Sequence, residues 1–351
     1  MFNIATPKAM NQMNQSQLPS RFELPTGVSP AACVDIGGTK IAVSIADSRG
    51  LRGRVTEATA KTGKNDAVAM QVIRLVEHSC ELTGIARSEL SVVGVSSCGP
   101  FTLREGMVEL AAPNICAGLA GKTRGQSNDW RTASLEAPLR EVFRAVRVEN
   151  DAIAALEAER RWGALQHNGQ PLANCAYVTW STGIGMGLCV DGHTLRGKNG
   201  NAGHGGHSFV SDDASARCGC GNVGDVEGLV AGSAVAQRFG KLGYADSAKL
   251  LEAAVNGDDR AKAIVDEMCR VMGRALYNLV ALLDLQCISI GGGVFWNHRE
   301  HLLPTLQQHI SGKLPALTDH CRLVPAGLGE HVGDFGALAL VAREQVARPI
   351  D

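Results

Sequence analysis

The sequence predicts an α/β protein, and three observations carry that reading. Stretches with the look of strands alternate with helical ones along most of the chain. A strand, glycine-rich turn, strand unit occurs near residue 31 and again near residue 176. Hydrophobic residues make up 45% of the 351 residues and charged residues 20%, enough for packed cores.

Residues 1–28 read as a flexible extension, because Pro19, Pro25 and Pro30 oppose regular structure and no helical periodicity runs through it. Ala31–Ile36 reads as a strand, Gly37-Gly38 as a turn and Ile41–Ala46 as the returning strand. Apolar residues at helical spacing (Ala67, Met70, Ile73, Val76) predict a helix over 66–83, followed by a strand at Ser91–Ser96. Val146–Glu149 is a short strand and Asp151–Trp162 a helix rich in Ala, Glu and Arg. The second unit follows: strand Ala176–Trp180, turn Ser181–Gly185, strand Met186–Val190. A helix is expected over Gly228–Phe239 and a long one from about Asp258 to Leu283. Strand Cys287–Ile290, the triplet Gly291–Gly293 and a last helix near Phe335–Glu344 complete the order. The repetition suggests two similar α/β domains facing a cleft, with residues 29–149 in one and 150–333 in the other. The final helix, within about 334–348, is expected to pack back on the first.

Lys+Arg number 34 and Asp+Glu 35, a net charge of −1, which argues against a protein held to nucleic acid by a basic face. No apolar run is long enough to span a membrane and the N-terminal stretch lacks a signal-peptide core, so a cytoplasmic protein is expected. Most of the 11 cysteines are scattered singly through apolar strings, as buried thiols are; Cys218 and Cys220 are the close pair.

Several segments carry possible chemistry. In Asp35-Ile-Gly37-Gly38-Thr39-Lys40 the glycines let backbone N–H groups approach an anion, and Asp35 suits a hard cation, although Gly-Gly also makes an ordinary hairpin turn. Ser181–Gly187 and Gly291–Gly293 are further phosphate-loop candidates, each weak alone. Asn150 and Asp151 stand where a strand gives way to a helix, so they either cap it or present a carboxylate able to take a hydroxyl proton. His207, Cys218, Cys220 and Asp225 have the spacing of a tetrahedral zinc site, against the alternative of a glycine-rich loop with two free thiols. Of the 41 glycines, 18 lie in the stretches 37–38, 183–187, 197–232 and 291–293, where these loops are placed.

Taken in order, Asp35–Lys40, Asn150-Asp151, Ser181–Gly185, the His207/Cys218/Cys220 motif and Ile290–Gly293 resemble the ROK family of bacterial sugar kinases and repressors, over about residues 31–345. The resemblance implies an actin-like ATPase fold hinged between two ribonuclease-H-like domains. It implies transfer of phosphate from Mg-ATP to the 6-hydroxyl of glucose or a related hexose, and commonly a homodimer. An N-acetylmannosamine or other amino or N-acyl hexose kinase is the runner-up. Residue by residue, Asp151 resembles the catalytic base, and Asn150, Asn114, His204, His207 and Glu227 the sugar ligands. Asp35, Gly37, Gly38, Thr39 and Lys40 resemble the Mg²⁺ and phosphate site, Thr182 and Gly183 the second phosphate loop, and Gly291, Gly292 and Gly293 the nucleotide contact. His207 would also bind structural Zn²⁺. Two positions depart from the family pattern: His204 replaces a usual Glu, and Asp225 a usual third zinc cysteine. Lys122–Arg131 reads as a polar insertion near the sugar side. A sugar-responsive repressor is disfavoured, because the stretch ahead of Asp35 is short for a helix-turn-helix domain.

Overall fold

A computed structural model describes residues 29–120 and 128–342. The expected extension over 1–28, most of the Lys122–Arg131 stretch and the end of the last helix lie outside the described residues.

The described residues build two five-stranded sheets with one topology. In the first, β1 (Ala31–Ile36), β2 (Lys40–Asp47), β3 (Gly50–Ala58), β4 (Val92–Ser97) and β5 (Val146–Asn150) lie in the order β3-β2-β1-β4-β5. In the second, β6 (Cys175–Trp180), β7 (Ile184–Val190), β8 (His193–Thr194), β9 (Cys287–Gly291) and β10 (Arg322–Pro325) lie in the order β8-β7-β6-β9-β10. In each sheet a meander of three antiparallel strands is extended by two parallel ones. The parallel strands need crossovers, and helices provide them. Helix α1 (Ala67–Thr83) links β3 toward β4, and α3 (Asp259–Leu283) leads into β9. The duplication seen in the sequence is therefore a duplication of strand order and direction.

Each sheet has its own core. Val34, Ile36, Ile41 and Val43 pack with Val68, Val72 and Leu75 of α1, while Val178, Trp180, Ile288 and Ile290 pack with Met272 and Leu276 of α3. Helix α2 (Asp151–Trp162) lies against β6 and β7 and also against α4 (Val332–Val341). The latter returns to the first sheet: Phe335, Ala337, Leu338 and Val341 are buried with Ala31, Cys33 and Val92.

Several elements differ from the sequence expectation. β3 reads poorly because its burial mixes half-exposed and exposed positions (Leu51–Arg54) with no clean alternation. A small sheet of Phe101–Arg104, Met107–Leu110 and Ala133–Ser134 also has a weak pattern. The helix expected over Gly228–Phe239 is two, Val226–Val230 and Gly232–Phe239, because Ala231 is extended (φ −65°, ψ 157°). That break lets the Gly232 N–H reach the Ser181 carbonyl (2.8 Å). Among the described residues no helix is long and apolar enough to cross a membrane.

Candidate active site

The parallel pairing of β1, β4 and β5 sets the first corner of the site. Asp35 pairs with Ser96, Ser96 with Glu149, and β5 runs straight into Asn150 and then α2. The Ser96 hydroxyl donates to Asp35 Oδ1 (3.3 Å). Asn150 caps α2: its Oδ1 and Asp151 Oδ1 both accept the Ala152 N–H, at 3.0 and 2.8 Å. The cap and the candidate base are thus neighbours rather than alternatives.

Electrostatics separate these carboxyls from ordinary ones. Burial, reinforced by the charge of Asp35, pushes Asp151 up to about 7. Burial and the nearby Asp334 push Asp35 up to about 6, with Ser96, Lys40 and Arg54 opposing. Both carboxyls therefore resist ionisation more than ordinary ones, Asp151 the more strongly, and a cation beside them would favour their charged forms. Asp35 is crowded by the start of α4, where a side chain on Gly333 would bring its Cβ within 2.7 Å of Asp35 Oδ2. Arg54 Nε in turn donates to both oxygens of Asp334 (3.2 Å each). Gly333, Asp334 and Arg54 are absent from the sequence reading; a Gly-Asp pair at the start of the last helix is the one signal they leave.

The first turn is built for approach. Gly37 N–H donates to the Lys40 carbonyl (2.9 Å), Thr59 Oγ1 donates to the Gly37 carbonyl (2.7 Å), and Thr39 and Lys40 are exposed. Gly38 lies against Asn114, whose Cβ would be 2.8 Å from a Cβ at position 38, so Asn114 and this turn come together.

The second turn is strapped from behind. The Ser181 and Thr182 carbonyls accept the backbone N–H groups of Gly232 and Ser233, and the Ser233 hydroxyl also donates to Thr182 (2.8 Å). Ile184 N–H donates to Glu227 Oε2 (2.9 Å), and a side chain on Gly183 would collide with that oxygen. Glu227 therefore touches the Thr182–Gly183 turn directly. The Gly291–Gly293 triplet ends β9 beside it: Gly232 approaches both Ser181 and Val294. Gly292 has φ +87°, with the Trp180 carbonyl 2.5 Å from where its Cβ would be, so only glycine fits. The space on the side-chain face of Gly293 is open.

His204 and His207 stack at 6.2 Å on the loop after β8. His204 Nδ1 bonds the Asn201 carbonyl (3.0 Å), and burial lowers its pKa. A Cβ on Gly99 would lie 3.1 Å from His204 Nε2 and 3.2 Å from Asn150 Nδ2, so both groups converge on one point beside the β4–Pro100 turn. His207 Nδ1 lies 3.2 Å from Asp225 Oδ2, 3.6 Å from Cys218 Sγ and 3.5 Å from Cys220 Sγ. All four donor atoms fall within 4.8 Å of one another. Asp225 is fully buried, and its Oδ1 accepts the Gly228 N–H (2.7 Å), capping the Val226–Val230 helix. Burial opposes ionisation of Asp225, yet the His207 and Gly228 hydrogen bonds hold it below the usual carboxylate range; Asp225 in turn raises His207. Two thiols, an imidazole and one remaining carboxylate oxygen are a donor set that suits Zn²⁺. A bound cation would draw the protons off the thiols, whose pKa burial raises at Cys218.

These features can be set beside known proteins. The model of the ROK family matches residues 31–344. The chain belongs to the ROK family. It is 30% identical to a glucokinase of Aeropyrum pernix over 92% of this chain and 100% of that one. It is 28% identical to an N-acetylmannosamine kinase of Escherichia coli O157:H7 over 89% and 98%. A ROK family glucokinase from Streptomyces griseus, solved in complex with glucose and AMPPNP, superposes with a TM-score of 0.67 at 28% identity, covering 90% of this chain and 99% of that one. The fold is the actin-like ATPase fold of the ROK sugar kinases, in agreement with the two repeated sheets.

Proposed function

We propose that this ROK protein is an ATP-dependent hexose kinase that phosphorylates the 6-hydroxyl of glucose or a related hexose. The observation that carries the reading is the corner where β5 meets α2: Asp151, with its pKa pushed up to about 7, stands beside Asp35 and Asn150. A base with a pKa near the working pH takes a hydroxyl proton and releases it again readily. Residues 29–149 with the last helix from about residue 334, and residues 150–333, act as two lobes that close on the sugar and exclude water.

In this reading Asn150, Asn114, His204, His207 and Glu227 hold the sugar, and Asp151 accepts the proton of its hydroxyl. The Gly37–Lys40 and Thr182–Gly183 turns present backbone N–H groups to phosphate oxygens, and the Gly291–Gly293 triplet leaves room for the nucleotide. Asp35 would hold Mg²⁺, which supplies charge neutralisation on the phosphates. His207, Cys218, Cys220 and Asp225 would hold a structural Zn²⁺ that ties the sugar loop to the helix bearing Glu227. Transfer then depends on positioning and electrostatics.

The likeness to an N-acetylmannosamine kinase supports a second substrate class, an amino or N-acyl hexose. A coupled ADP-release screen across glucose, mannose, fructose, allose, glucosamine and N-acetylated hexoses tests both. Turnover of at least one sugar, lost in Asp151→Asn, is expected; no turnover of any hexose with ATP overturns the kinase reading.

A further inference from the structure

Asn201 does two jobs at once. Its carboxamide lies flat against the backbone of Phe101: Oδ1 accepts the Phe101 N–H (2.7 Å) and Nδ2 donates to the Phe101 carbonyl (2.8 Å). This is the two-point pairing of a strand neighbour, made by a side chain, and it fixes the orientation of the amide because each Phe101 group has one role. It also crosses the molecule, from the loop after β8 to the segment just after β4. The backbone carbonyl of the same residue meets His204 Nδ1 (3.0 Å).

A carbonyl oxygen can only accept. Nδ1 of His204 therefore carries the hydrogen, and in a neutral ring Nε2 then carries the lone pair. That nitrogen converges with Asn150 Nδ2 on the space beside Gly99, where one group offers a lone pair and the other an N–H donor. A sugar hydroxyl, which donates and accepts at once, satisfies both.

We propose that Asn201 is a positioning residue for the sugar pocket, pinning its loop to Phe101 and holding His204 as the Nδ1–H tautomer, so that Nε2 recognises an O–H or N–H donor of the substrate beside Asn150. The substrate-binding part rests on the kinase reading; the tautomer does not.

The test uses the full chain. Nitrogen-15 histidine spectra, with His204 assigned through His204→Gln, are expected to show Nδ1 protonated and Nε2 bare. A protonated Nε2 with a bare Nδ1 overturns the proposal whether or not any hexose is turned over. With the hexose accepted in the screen, Asn201→Ala is expected to raise KM about tenfold while kcat changes by less than about threefold. Asn201→Asp keeps the acceptor for Phe101 N–H and loses the donor, so it shifts KM in the same direction with little change in volume. In a His204→Ala background the Asn201→Ala effect is expected to shrink to within about twofold, the signature of a residue acting through another. Additive effects on KM, or an equal fall in kcat, overturn it. A monodeoxy series of the accepted sugar is expected to contain one member whose penalty vanishes in His204→Ala; no such member counts against a donor-recognising Nε2. Absence of all hexose turnover, with the tautomer as stated, refutes the kinase reading and leaves the Asn201 clamp standing.

Discussion

Asp35 and Thr179 occupy the same register position in two copies of one topology. Asp35 pairs with Ala42 on the returning strand and Ser96 on the parallel neighbour; Thr179 pairs with Gly185 and Gly291. The first copy keeps a carboxyl and a hydroxyl where the second keeps a hydroxyl and two glycines. The turns differ too. Thr39 and Lys40 are exposed in the first turn and Thr182 in the second, but the second is strapped, its Ser181 and Thr182 carbonyls accepting from Gly232 and Ser233 and the next residue, Ile184, donating to Glu227. One repeat thus concentrates charge and the other clears space; in the proposed kinase reading the first would hold the cation and the second the nucleotide.

The sharpest way to break this comparison is at the junction of the two repeats. Asp151→Asn should fold and lose phosphoryl transfer by about a thousandfold or more, read as kcat with the accepted hexose. Making the first repeat like the second, by Asp35→Thr, should cost about a hundredfold in kcat/KM and flatten the dependence on Mg²⁺ concentration. An unchanged magnesium titration would mean that the carboxyl of the first repeat is not its cation ligand. Releasing the strapped turn with Glu227→Ala should cost about tenfold in kcat/KM. That variant should also speed hydrogen exchange at the Ile184 amide, which now donates to the carboxylate.

Smaller effects sharpen the picture. Asp225→Ala should lower zinc content measured on the purified protein and cost about 1 kcal/mol through the lost cap on Gly228. Asp225→Cys should keep the metal and lose only the cap. The pH dependence follows from Asp151. Its folded pKa is raised from 3.8 to about 7, so the unfolded chain ionises first. Stability is therefore fully retained below the unfolded value and lost as pH rises through this window. Asp151→Asn should melt higher than the parent at pH 8, by on the order of 1 kcal/mol, and the gap should close toward pH 4. The kcat of the parent should rise across the same window as the base ionises.

What the sequence disclosed and what it hid have separate physical causes. Glycine turns after apolar strands are readable because the turn needs glycine locally, as at Gly292 with its φ of +87°. The cap at Asn150 and the His207, Cys218, Cys220 and Asp225 cluster are readable because their spacing is short. Gly333 beside Asp35, and Asn201 against Phe101, are not. Each depends on a partner about one hundred or more positions away, and neither residue type marks its own purpose. The break at Ala231 was hidden for the same reason, since the Ser181 carbonyl that captures Gly232 belongs to a distant turn.

The return of α4 to the first sheet has a consequence for how the chain is born. Ala31, Cys33 and Val92 share one buried cluster with Phe335, Ala337, Leu338 and Val341, so that face is fully covered only when α4 is in place. Folding during synthesis ordinarily proceeds from the N-terminus. Here β1 and β4 wait for α4, and the second sheet can be finished before the first is covered. The surface left bare in that interval is apolar, and truncation ahead of Val332 should leave the same face exposed for good.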